Sequence, residues 1–62
     1  SSNFRESVLD MEEKLILLSK ESQHLSENIA KSKSKTELAS QMEKILKIEK
    51  ELEAIVRPFK VC

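Results

Sequence analysis

The residues able to do chemistry in this chain are few and far apart. His24 is the only histidine and Cys62 the only cysteine. A structural zinc site takes four soft ligands, so these two cannot supply one within a single chain. A single cysteine also excludes an internal disulfide and points to a reducing compartment. Glu12 and Glu13 are adjacent acids, but neighbours on a helix point about 100° apart and do not converge on one bond. His24 has no nucleophile or second ligand beside it and reads as an exposed histidine. No catalytic constellation can be assembled from this set. The expectation is a protein that is not an enzyme, with no cofactor, no metal and no small-molecule substrate.

Lys31–Lys35, "KSKSK", puts three positive charges in five residues. It has no aromatic neighbour for base stacking and no arginine for bidentate base contacts, which argues against a nucleic-acid role. It reads as a solvated turn. Formal net charge is zero over the 62 residues, so there is no bulk attraction to nucleic acid or anionic lipid. No apolar run approaches the length of a membrane span, and no secretory signal pattern is visible. An intracellular protein, cytoplasmic or nuclear, is expected. A chain that opens on Ser rather than Met is expected to be a piece of a longer protein.

What remains is packing. A chain this short buries little core on its own and depends on helix association or partner chains. It has no glycine, one proline and 35% charged residues. That composition favours helix throughout.

The first half carries a heptad repeat. Val8, Leu15, Ser22 and Ile29 take position a; Phe4, Met11, Leu18 and Leu25 take d. Ser22 is the one polar member and could set register, weakly. A second stripe runs Leu38, Met42, Ile45, Leu52, Val56, Phe59, widened by Leu46, Ile48 and Ile55. On one straight helix the two stripes would centre near about 30° and about 170°, nearly opposite faces. One partner could not cover both.

The junction resolves this. No large apolar residue lies between Ile29 and Leu38. Ser34 and Glu37 fit a capping box, with the Ser34 side chain accepting from the Glu37 amide and the Glu37 side chain returning to the Ser34 amide. The expected layout is helix one at about 3–31, a turn at 32–34, helix two at about 35–57 and an extended tail at 58–62 after Pro58. One unbroken helix in a parallel coiled-coil dimer is the alternative. Residues 1–28 hold six acids and three bases, so an acidic first helix beside a basic turn slightly favours antiparallel pairing.

"LILL" adds apolar residues outside the heptad core. Leu9 and Ile16 fall at b and Leu17 at c, positions that normally face water. Together they suggest a second interface. The fold class expected is all-α: an antiparallel helical hairpin that assembles into a coiled-coil-like bundle. Its oligomer core would be Phe4, Val8, Met11, Leu15, Leu18, Leu25, Ile29, Leu38, Met42, Ile45, Leu52 and Val56. The function expected is non-catalytic oligomerisation, through self-association or a helical hetero-partner. The alternative is an adaptor that docks a specific helical partner through Leu9, Ile16 and Leu17.

Overall fold

The computed structural model describes residues 2–59, and Lys60–Cys62 lie outside the described residues. Two helices, α1 (Ser2–Ala30) and α2 (Lys35–Val56), pack against each other, and no strand occurs among the described residues. They run antiparallel. Lys14 reaches Glu51, Glu21 meets Gln41, and Phe4 meets Phe59 across the same seam. The hairpin measures 46 × 20 × 15 Å.

The chain breaks at 31–34 for local reasons, so the unbroken helix does not form. The Lys33 amide donates to the Asn28 carbonyl at 3.1 Å and the Ser32 amide to the Ile29 carbonyl at 3.0 Å. These two bonds make a Schellman ending, which closes the last carbonyls of a helix. The motif needs one residue in the left-handed region, and here Ser32 takes it with φ 57°. Glycine is the usual occupant and this chain has none. Helix α2 then starts on Ser34, whose side chain accepts from the Glu37 amide at 3.2 Å. The Glu37 carboxylate does not return to the Ser34 amide; it accepts from the Ser34 hydroxyl at 3.1 Å instead.

The C-terminal end also differs from the extended tail expected at Pro58. Arg57–Phe59 continues as one turn of 3₁₀ helix. Proline is tolerated there because it stands second in a new turn, where an amide has no intrahelical acceptor to reach, and its φ suits a helix. The turn carries the Phe59 ring back to Phe4. The two rings meet edge to face, with centroids 5.5 Å apart.

Candidate protein-interaction surface

The seam does not follow the a and d rows of α1. Apart from Val8 and Asp10 near its open end, the half-buried residues of α1 are Ser7, Met11, Lys14, Leu18, Glu21, Leu25 and Asn28. These are the d row and the g row. The g row is wholly polar: Ser7, Lys14, Glu21 and Asn28. Compared with an a/d seam, the line of contact is turned by about 50° around the helix. From α2 the seam receives Leu38, Gln41, Ile45, Ile48, Leu52 and Ile55.

Of the expected core residues, Met11, Leu18 and Leu25 therefore face Leu38, Ile45 and Leu52. Val8 and Val56 are half-buried at the edge of the seam. Leu15, Ile29 and Met42 stay outside it, at 53%, 58% and 52% exposure. Phe4 is also exposed apart from its contact with Phe59. Among the described residues no apolar side chain is buried; the one buried side chain is Gln41.

Gln41 and Glu21 were not singled out from the sequence. The Gln41 amide donates to the Glu21 carboxylate and, at 3.5 Å, to the Glu21 backbone carbonyl. The signal was present: Leu38, Gln41, Ile45 and Ile48 keep the 3,4 spacing of a seam, with a polar residue in one place. Ser22, the polar residue that interrupts the heptad pattern, faces out. His24 Nδ1 lies 4.0 Å from the Glu21 carboxylate.

Lys14 is the other polar residue in the seam. Its ammonium sits 3.3 Å from Asp10 and 3.6 Å from Glu51. The hydrogen bond to Asp10, the Asp10 charge and the Glu51 charge hold the lysine above its ordinary pKa.

The two flanks of the hairpin differ in character. Both helices are right-handed and run in opposite directions, so turning the same way along each chain leads to the same flank. One flank carries Asn3, Glu6, Asp10, Ala54 and Pro58, which line a shallow groove, together with Glu51. Leu17 and His24 lie on this flank too. The other flank carries Val8, Leu15, Ser22 and Ile29 from α1, and Met42, Leu46 and Val56 from α2. Leu46 is 53% exposed. Leu9 and Ile16 stand one above the other on the outer side of α1, at 59% and 71% exposure. Leu17 is set about 100° around the helix from Ile16.

Among the described residues, no group of three or more acidic, histidine or cysteine side chains is placed to hold a metal ion. Among the described residues no helix is long and apolar enough to cross a membrane. No protein-family model, curated protein or solved structure matches the chain.

Proposed function

We propose that this chain is a non-catalytic assembly module, which completes its hydrophobic core by packing its apolar flank against helices of another chain. One observation carries the reading. The hairpin turns a polar row of α1 into its seam and leaves the apolar a row, Leu15 and Ile29, outside. In a four-helix bundle each helix has its neighbours at about right angles, and the shared core lies about 45° from each neighbour. An apolar stripe rotated about 50° from the hairpin seam fits that geometry. The α2 stripe is displaced to the same flank by Met42, Leu46 and Val56.

Exposed apolar area supports the same reading. A hairpin whose described residues include no buried apolar side chain gains little from folding alone. Covering Leu15, Ile29, Met42 and Leu46 recovers about 25 cal/mol per Å² of apolar surface removed from water.

The test is the concentration dependence of folding. The melting temperature of the chain, or of the chain with its partner, should rise with concentration, because association stabilises only the folded state. Leu15→Gln with Met42→Gln should abolish that dependence. A monomer that melts cooperatively, at a temperature set by neither concentration nor these substitutions, overturns the proposal.

A further inference from the structure

We infer that the occupant of the apolar flank is a second copy of this chain, laid across it antiparallel about a two-fold axis through Ser22 and Met42. This rests on the assembly reading above and names the partner.

The flank is self-complementary in register. Leu15 and Ile29 lie seven residues on either side of Ser22. Lys35 and Glu49 lie seven residues on either side of Met42. Ser22 and Met42 sit at the same height in the hairpin, next to the Glu21–Gln41 contact. A two-fold axis at that height, perpendicular to both helices, stacks α1 on the partner's α1 and α2 on the partner's α2. Leu15 of each copy then meets Ile29 of the other, Met42 meets Met42, and Glu49 meets Lys35. Such a contact is isologous, with each pair occurring twice.

Charge selects this orientation over its rival. On this flank Glu12 and Glu49 lie toward the open end, with Arg5 one heptad beyond Glu12, and Lys33 and Lys35 lie at the turn. Among the described residues none of these five takes part in an ion pair within the hairpin. Antiparallel stacking brings Glu12 to Lys33 of the other copy, and Glu49 to its Lys35. With the turns at the same end, the acids would face acids and the lysines would face lysines, which is repulsive. Ser19, Ser22, Ser26 and Ala39 keep the middle of the flank low, so two helices can approach closely. A face about 46 by 20 Å is in the size class of the roughly 800 Å² that each partner buries in a stable pair.

The experiment uses the 62-residue chain with Cys62→Ser. Sedimentation should give a dimer. Ser22→Cys in that background should form a disulfide-linked dimer on oxidation, because the two Ser22 positions meet at the axis. Glu12→Lys with Glu49→Lys should raise the dimer dissociation constant about tenfold or more. Mixing that variant with Lys33→Glu/Lys35→Glu chains should restore tight, heterodimeric pairing. A dimer that cross-links Ser22→Cys to Met42→Cys chains, but not Ser22→Cys to itself, overturns the antiparallel arrangement. A dimer lost on Leu9→Gln/Ile16→Gln, with the flank intact, moves the interface to the back of α1 and overturns the inference. A monomer at all concentrations also overturns it. In that case circular dichroism separates the two readings: a weakly helical monomer leaves assembly with another protein standing, and a cooperatively folded one removes both.

Discussion

Gln41 donates its side-chain amide to the carboxylate of Glu21 across the hairpin, and this polar pair occupies a layer of the seam between Leu18–Ile45 and Leu25–Leu38. Sliding α2 by one turn would leave Gln41 against an apolar side chain and Glu21 without its donor. The pair therefore fixes the register that brings Ser22 level with Met42. Gln41→Ala should cost about 1–2 kcal/mol, the usual penalty for leaving a shielded acceptor unmatched. Glu21→Leu with Gln41→Leu should regain that loss while loosening register. Thermal melts of Glu21→Leu, Gln41→Leu and the double variant give the coupling. Additive costs would show that the two side chains do not act as a pair.

Ser32 supplies a second prediction. It occupies a left-handed position that a side chain disfavours. Ser32→Gly should stabilise the hairpin by about 0.5–1 kcal/mol. In an uninterrupted helix the same change would destabilise by about 0.5 kcal/mol, since glycine is the poorer helix former. The sign of the shift in melting temperature distinguishes the two.

The open end is held by an aromatic contact. Phe4 and Phe59 meet edge to face, an arrangement worth about 0.5–1.5 kcal/mol beyond area burial. A cycle of Phe4→Ala, Phe59→Ala and the double variant should return a coupling in that range. Hydrogen exchange of the second turn of α1, whose amides bond back to the carbonyls of the first, should speed up in either single variant. Exchange that stays unchanged would show that the rings do not hold the end closed.

Alkaline pH should weaken the seam through Lys14. Asp10, by hydrogen bond and charge, and then Glu51 raise its pKa in the folded chain. A raised folded-state pKa means the contribution is complete below the unfolded value, about 10.4, and is lost as pH rises through the folded value. The gap in melting temperature between the parent chain and Lys14→Met should stay constant from neutral pH to the onset of lysine titration. Above that, the parent should fall toward the variant. Parallel curves through the whole alkaline range would mean that Lys14 is not coupled to folding.

The two helices and the turn were legible because their signals are local. Spacing placed Met11, Leu18 and Leu25 on one face, and the capping residues Ser34 and Glu37 marked the start of α2. The face chosen for the seam was not legible. Apolar periodicity points to the middle of a stripe, whereas this hairpin packs along one edge of it. Nothing in the types of Ser7, Lys14, Glu21 and Asn28 says that they face a neighbouring helix. Gln41 was overlooked for a related reason, since a polar residue in step with a seam looks like surface until its partner across the gap is known. The 3₁₀ turn at Arg57–Phe59 was hidden by Pro58, which ends α-helix but fits this tighter turn.

The Phe4–Phe59 contact also determines how the hairpin bears load. Both ends of the folded chain emerge at the same pole, and the turn lies at the opposite one. Tension applied across those ends pulls perpendicular to the seam. It meets one layer at a time, first the two rings, then Met11 against Leu52, then Leu18 against Ile45. The hairpin therefore unzips at low force instead of shearing all layers at once, and the strength of its first layer sets the threshold. A second copy stacked across the flank would bridge α1 and α2 along their length and convert that weak mode into a cooperative one.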